Sequence, residues 1–308
     1  MSLEYRRSRF HNLVRRFDPG LRTLADPLIS QVKIDDTLFC NLKTAIALYV
    51  SRCLPDGPYV VEENKLLDEF IKNRDKVRNC TPNGMMVPKK EVSLEFNLVV
   101  RAFADVIESL NFTDLVASWH VPLNVRYKDG HIVKGSLERA YPTEDIHSDS
   151  WAGESADSVT TMIPIFGDTE RNRVDYYVPP DDFQEEWLGP QSSYRHNAET
   201  AKRYTKINVP YSKGCLYLVD FATLHASARF SGAGPRISID TTFAFPPLPG
   251  QEEKIHPWRV NERAKSEDLM GIGISSLFLF NNSWNEHVDN KGGFKHPSDL
   301  TIIKLKTE

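Results

Sequence analysis

The chain has 308 residues, of which 40% are hydrophobic and 26% are charged. This composition is ordinary for a globular protein and excludes a fibrous or intrinsically disordered chain. The formal net charge is -4 and the pI is near 6.2, which argues against nucleic acid or an anionic membrane as the main partner. We therefore expect one large domain, 1–308, that takes a small-molecule ligand.

The N-terminal segment departs from this average because it is rich in arginine. Such a stretch resembles a transit peptide or a membrane-surface helix. Glu4 and Asp18 interrupt it and it is not rich in serine, so we predict a basic arm that packs on the surface of the domain. Its arginines are Arg6, Arg7, Arg9, Arg15, Arg16 and Arg22.

Targeting and redox signals are weak elsewhere. No apolar run reaches the roughly 18 residues of a membrane span, and no signal segment opens the chain, so a cytoplasmic protein without a membrane partner is expected. The four cysteines are scattered without a CxxC pair, which predicts reduced thiols in core positions rather than disulfides or sulfur-bound zinc. They are Cys40, Cys53, Cys80 and Cys215.

The first third of the chain has mainly helical periodicity. Apolar residues recur at intervals of three and four from Asp36 to Cys53, with Asp35 or Asp36 as the N-cap. Similar patterns run through Val61 to Arg78 and through Glu91 to Leu110. These patterns predict a mainly helical flank over residues 1–118.

After Trp119 the pattern changes to short runs rich in β-branched and aromatic residues, punctuated by Gly, Pro, Asp and Asn. Helices of βαβ length are missing between them, which favours an antiparallel sandwich or barrel and an α+β fold with helices packed on the sheet core. The predicted strands are His120–Tyr127, Ser158–Phe166, Val174–Val178, Gly214–Asp220 and Arg236–Phe245.

Two segments are harder to assign. The polar stretch from Pro179 to Lys206 lies between strands, and a long connection of this kind is often a binding loop or lid. Residues 247–308 form a C-terminal extension, in which the apolar run Ile272–Phe280 fits either a strand or a buried helix.

Chemistry is indicated first by His147 and Asp149, which stand two residues apart. On an extended segment both side chains leave the same face and can share one metal ion. An HxD pair alone is weak, because a surface histidine beside a capping aspartate has the same pattern. His225 and Arg236-x-Ser238 follow in turn, and two imidazoles with one carboxylate form the facial triad of non-haem iron oxygenases. The arginine can grip a carboxylate through two parallel hydrogen bonds.

In the order and spacing of these residues the chain resembles the iron(II)/2-oxoglutarate dioxygenase superfamily, including its phytanoyl-CoA-hydroxylase-like branch. The resemblance spans roughly Leu123 to Pro246. It also includes the glycine-led strand before His225 and the apolar strand Thr160–Phe166.

The resemblance implies a double-stranded β-helix, that is, a cupin-like jelly roll, over residues 119–246 of a single oxygenase domain. It implies iron(II) held by His147, Asp149 and His225, with Arg236 and Ser238 binding the distal carboxylate of 2-oxoglutarate. Dioxygen would complete the reaction, which releases succinate and CO2. Halogenating relatives lack the carboxylate that Asp149 supplies, so hydroxylation or desaturation is preferred, while epimerisation and ring formation remain open.

Further candidates have weaker support. Asn124 could bind 2-oxoglutarate, as polar residues at comparable places do in the family. Arg126 could meet an anionic substrate or form a solvated salt bridge, and Trp151 could wall the pocket or simply pack. Tyr194 and Arg195, with His196, could contact substrate from the lid.

The expected activity is hydroxylation of a small polar metabolite, such as an amino-acid, sugar or secondary-metabolite intermediate. The alternatives are a cupin-like metal-binding protein that is not an oxygenase, either an isomerase or a binding module, and a zinc hydrolase with the same ligands. A second HxD, His287-Val288-Asp289 with His296 nearby, is interpreted as loop or surface, because too few residues follow it to supply a distal strand and arginine. We interpret His120, His131 and His256 as ordinary hydrogen-bonded histidines.

Overall fold

The structure, a computed structural model, describes residues 2–17, 22–23, 28–57, 59–77, 79–81, 83–132, 137, 140–154, 158–246, 263–283 and 300–305. Within them the α-helices are α1 Leu3–Phe17, α2 Asp36–Arg52, α3 Glu63–Lys72, α4 Ser93–Ser109, α5 Ala198–Ala201 and α6 Ser266–Met270. The strands are β1 Arg22–Thr23, β2 Ile29–Lys33, β3 Met85–Met86, β4 Ser118–His120, β5 Asn124–Lys128, β6 Ser158–Gly167, β7 Asn172–Val178, β8 Thr205–Ile207, β9 Cys215–Asp220, β10 Leu224–Arg229, β11 Arg236–Ala244, β12 Arg263–Lys265, β13 Ser276–Phe280 and β14 Leu300–Lys304.

The three helices predicted before residue 118 are confirmed as α2, α3 and α4. Asp35 caps α2, because its carboxylate accepts hydrogen bonds from the backbone N–H groups of Thr37 and Leu38. α3 is shorter than predicted: the side chain of Asn73 donates to the carbonyl of Glu69, and a separate 3-10 turn follows. α2 and α4 pack against each other in the main hydrophobic core.

The strands form antiparallel sheets, so the expected α+β class with antiparallel pairing is confirmed. The main sheet has nine strands in the order β1-β2-β9-β6-β11-β4-β12; β5 also pairs with β11, and β3 with β5. The second sheet has the order β10-β7-β8. Strands β13 and β14 form a separate pair, which resolves the uncertain run Ile272–Phe280 as containing a strand.

Strand β11 lies inside the main sheet, and all nine of its residues are buried. Ile237 and Ile239 point into the main core, which also contains residues of α2 and α4. Because side chains alternate along a strand, Arg236, Ser238 and Asp240 lie on the opposite face, called here the inner face. This face is turned towards the second sheet.

The predicted packing of the N-terminal arm on the domain is confirmed for α1, and one face of this helix reaches into the core. Leu3, Phe10 and Val14 are buried in the main core, and the Arg6 side chain on the same helix face is buried with them. The side chains of Arg15, Arg16 and Arg22 lie outside what the structure describes.

The predicted core thiols are confirmed for Cys53 and Cys215, which are buried and free. Cys40 is exposed rather than in the core. Among the described helices, none combines the length and apolar character needed to cross a membrane.

Candidate metal centre

The structure brings together His147, Asp149 and His225, which form a candidate metal centre, called the metal centre below. One ligand atom from each of the three side chains lies within 4.8 Å of the other two. His147 and His225 form an isolated antiparallel bridge, with reciprocal backbone N–H···O hydrogen bonds of 3.0 and 2.8 Å. Asp149 opens a short 3-10 helix, so the extended segment expected around the HxD pair ends at Ser148.

Neighbouring groups fix the orientation of these side chains. The Nδ1 atom of His147 lies 2.7 Å from the carbonyl oxygen of Asp145, which leaves Nε2 for a metal. The Thr160 hydroxyl donates to Oδ2 of Asp149 at 2.6 Å. Tyr194 stacks on the His147 ring, with centroids 4.1 Å apart and planes 17° apart.

The protonation state of His147 suits a metal ligand. Burial, reinforced by the neighbouring His225, lowers the pKa of His147 to about 3. The imidazole is therefore neutral near pH 7, the form that coordinates metal. Whereas His147 is buried, the side chains of His225 and Asp149 keep 14% and 25% of their surface exposed, so the centre is open on that side.

Arg236 and Ser238 lie on the inner face, as their spacing on a strand requires. The Arg236 guanidinium is buried and donates through Nη1 to the phenol oxygen of Tyr211, while its buried Nε has no hydrogen-bond partner among the residues that the structure describes. The same phenol donates to the sulfur of Met162 at 2.7 Å. Sequence reasoning missed Tyr211, since nothing in the segment before β9 signals its distant partner on β11.

Tyr176 on β7 connects the metal centre with the Arg236 region. Its ring centroid lies 6.5 Å from that of His225. Burial raises the pKa of the Tyr176 hydroxyl, the charge of Arg236 opposes this effect, and that of Asp240 adds to it. Within the described part of the chain, this buried hydroxyl has no hydrogen-bond partner. The side chains from both sheets therefore enclose one polar interior.

Asn124 and Arg126 also lie on this interior, but both bind Asp240. Asn124 donates to Oδ2 of Asp240 at 2.8 Å, and Arg126 donates through Nε to Oδ1 at 2.7 Å. The Arg126 charge acts on His147 and Asp149, which places it beside the metal centre. The Oδ1 atom of Asn124 is buried without a partner.

The remaining substrate candidates are Trp151, Tyr194 and Arg195, which differ in their exposure and in their partners. Trp151 is fully buried, and its indole N–H donates to the carbonyl of Trp187 at 2.7 Å. Tyr194 covers His147, as described above. Arg195 is exposed and is directed towards the carbonyl of Leu137 and the carboxylate of Asp145. Their substrate roles stay predictions.

A second buried polar group near Arg236 was not predicted. Lys128 on β5 donates to the Thr143 hydroxyl at 2.6 Å and to Glu144 at 3.3 Å, and Arg229 binds the same carboxylate. Burial lowers the pKa of Lys128 to about 7 despite the opposing effect of Glu144, and the cations around it act in the same direction as burial.

The second HxD, His287-Val288-Asp289 with His296, lies outside the described residues, as does His256. Within the part of the chain that the structure describes, His147, Asp149 and His225 form the one group of three or more residues suited to a metal ion.

No family model matches the chain, and no curated protein matches it. Solved structures that resemble this chain include the non-heme alpha ketoglutarate dependent epimerase SnoN from nogalamycin biosynthesis, at 15% identity and a TM-score of 0.39, with 82% of this chain and 93% of that chain covered.

Two further structures are similar at the same level. EctD from S. alaskensis, solved with 2-oxoglutarate and 5-hydroxyectoine, has 14% identity and a TM-score of 0.37, with 76% of this chain and 79% of that chain covered. An N-substituted L-amino acid dioxygenase from Burkholderia ambifaria AMMD has 11% identity and a TM-score of 0.34, with 76% and 85% covered.

Proposed function

We propose that this protein is a non-haem iron(II)/2-oxoglutarate-dependent oxygenase of the superfamily that its motifs resemble, and that it hydroxylates a small polar metabolite. The observation that carries the proposal is the coincidence, in one interior, of a His-Asp-His triad with a buried arginine whose Nε atom has no partner.

The strand order supports the jelly-roll assignment. In the main sheet β5, β11, β6 and β9 are neighbours in that order, and the segment of His147 pairs with β10, which continues to β7 and β8. This exchange of consecutive strands between two antiparallel sheets is the pattern expected of a double-stranded β-helix. In such a fold the metal ligands of the second sheet face the residues of the first sheet that would bind the keto acid, here Arg236 and Ser238.

The donor set fits iron(II). Two neutral imidazoles and one carboxylate on one side of a metal ion leave coordination positions open for other ligands, which is the arrangement of non-haem iron oxygenases. Asp145 and Thr160 orient the ligands His147 and Asp149, as outer-shell groups of metal sites do. Sulfur ligands are absent from the triad, which favours iron over a structural zinc site.

The inner face fits a keto-diacid. Arg236 would hold the distal carboxylate, because its buried guanidinium has an unused N–H donor and a buried cation without an anion is costly. Ser238 and Tyr211 would supply hydroxyl donors to the same carboxylate. When bound, iron, 2-oxoglutarate and dioxygen would couple oxidative decarboxylation to oxidation of a substrate C–H bond.

The remaining residues would bind and orient the substrate. Asn124, Arg126 and Asp240 offer both charges and amide groups beside the metal centre, which suits a polar molecule better than a long lipid. Tyr194 stacks on the buried His147 ring and excludes water from that ligand.

The direct test is turnover without a known substrate. With iron(II), oxygen and 2-oxoglutarate the wild-type protein should form succinate slowly, and faster with its true substrate. Asp149→Ala and Arg236→Ala should each abolish this turnover. Arg171→Ala is the matched control, because Arg171 is an exposed arginine that pairs with Asp168 on the surface.

Succinate formation that is unchanged in both site variants would contradict the proposal. Hydrolytic activity with zinc in the absence of oxygen and 2-oxoglutarate would instead favour a metallohydrolase.

A further inference from the structure

Arg6 occupies an apolar position of helix α1. Leu3, Arg6, Phe10 and Val14 recur at intervals of three and four, which places them on one helix face. All four are buried, with Arg6 only 2% exposed. A buried arginine in an apolar stripe requires a partner of opposite charge.

The partner is Asp220, the last residue of β9. Arg6 donates to both carboxylate oxygens, with N···O distances of 2.8 to 2.9 Å. This is the bidentate geometry that makes arginine-carboxylate pairs strong and directional. The guanidinium also lies 4.1 Å from the centre of the Phe221 ring.

Asp220 organises the turn between β9 and β10. Its Oδ1 atom accepts a hydrogen bond from the backbone N–H of Ala222 at 2.8 Å, and its carbonyl accepts one from Thr223 at 2.9 Å. Strand β10 begins at Leu224, so His225 is its second residue. The position of this turn therefore sets the position of a metal ligand.

The same turn holds the other two ligands. Ser148, which stands between His147 and Asp149, is fully buried and donates through Oγ to the carbonyl of Phe221 at 2.6 Å. The turn that Arg6 contacts through Asp220 is therefore hydrogen-bonded to Ser148, and it continues directly into the strand that contains His225.

We infer that Arg6 is a positioning residue for the metal centre, acting through Asp220 and the turn at Phe221 on all three ligands. This inference rests on the proposed function, since it assumes that the triad binds a metal. Helix α1 would then be part of the site's support rather than a separate arm.

The mechanism is geometric. Loss of the guanidinium leaves the Asp220 carboxylate buried without its counter-charge, and the turn can relieve this by rotating the carboxylate towards water. Such a rotation releases the N–H of Ala222 and shifts the carbonyl that anchors Ser148. The three ligand atoms would then converge less well.

The test measures binding of Co(II), as an air-stable replacement for iron(II), by calorimetry and by its visible absorption spectrum. Arg6→Gln should weaken Co(II) binding about ten-fold, the lower end of the effect of outer-shell substitutions, and alter the cobalt spectrum. Arg6→Lys keeps the charge with a single donor group and should give an intermediate affinity. Phe10→Leu is the control, because it loosens the same buried face without touching Asp220.

All variants are compared at a temperature at which circular dichroism shows them folded. Phe10→Leu should lower Tm while leaving the affinity and the cobalt spectrum unchanged. Wild-type affinity and spectrum in both Arg6 variants would overturn the inference and leave the proposed function intact, as would equal losses of affinity in Phe10→Leu and Arg6→Gln. If the wild-type protein itself binds no Co(II), both the proposed function and the inference fail.

Discussion

The two faces of strand β11 are equally buried but chemically opposite. Towards the helices, Ile237 and Ile239 pack in the main hydrophobic core. Towards the second sheet, Arg236, Ser238 and Asp240 form a polar inner face on which Nε of Arg236 has no partner. Buried polar groups without partners destabilise a fold. The unpartnered Nε of Arg236 therefore supports the proposal that this face binds a ligand, whereas the opposite face stabilises the fold.

The largest expected effect concerns the polar interior. Asp149→Ala removes the carboxylate ligand and should lower iron-dependent turnover of 2-oxoglutarate by a factor of at least about 1,000, which corresponds to roughly 4 kcal/mol. Because Asp149 is partly exposed, the free energy of unfolding should change little. Succinate formation and urea unfolding, measured on the same preparation, check both parts. A fully active variant would mean that the interior does not hold iron as proposed.

The apolar face should show the reverse pattern. Ile239→Ala leaves a cavity in the core and should reduce the free energy of unfolding by about 2 to 5 kcal/mol. The folded fraction should still bind metal and keto acid, since Ile239 points away from them. Urea denaturation and calorimetric titration test this separation. A loss of metal affinity larger than the loss of folded protein would show that the two faces are not independent.

A smaller effect is expected at Thr160. Thr160→Val has a similar shape but removes the hydrogen bond to Oδ2 of Asp149, and such outer-shell changes cost about 10 to 100-fold in metal affinity. The control is Thr161→Val, whose hydroxyl donates to the backbone carbonyl of Thr241 rather than to a ligand. Equal Co(II) affinities for the wild-type protein and Thr160→Val would remove Thr160 from the support of the metal centre.

An effect of a different kind concerns Lys128 and is seen only as a dependence of the free energy of unfolding on pH. Its pKa is about 7 in the folded protein and 10.5 in the unfolded chain. Between these values the unfolded chain binds the extra proton, so the contribution of Lys128 to the free energy of unfolding rises with pH.

Lys128→Met should remove this rise. Buried tyrosines such as Tyr176, with raised pKa values, act in the opposite sense above their ordinary value of 10.0, so the relevant quantity is the difference between wild type and variant. Urea unfolding at several pH values from 7 upward measures it. Parallel pH profiles for the two proteins would show that Lys128 is protonated when folded.

The difference between local sequence signals and contacts across the chain explains which features the sequence predicts. The metal motif is local in part: His147 and Asp149 stand two residues apart, and the spacing of Arg236 and Ser238 places both on one face of a strand. The apolar periodicity of α2 and α4 is likewise a local signal. These elements were therefore predicted with bounds close to those observed.

Features that depend on distant partners could not be found in this way. In the sequence Arg6 is one of several arginines in a basic arm, and its partner Asp220 lies 214 residues away. Tyr211 and Thr160 acquire their roles only from contacts across strands. Strand β10 was missed because its central Ala-Ser-Ala has weak strand propensity, and its pairing with β7 supplies what the local sequence lacks.

The central claim is that the triad and Arg236 bind opposite ends of one keto-diacid. It is tested most directly by anaerobic titration of the iron(II)-loaded protein with 2-oxoglutarate and with 2-oxobutanoate, which lacks the distal carboxylate. The wild-type protein should bind 2-oxoglutarate much more tightly, and Arg236→Ala should bind the two acids equally. Equal affinities in the wild-type protein, or an unchanged preference in Arg236→Ala, would contradict the account.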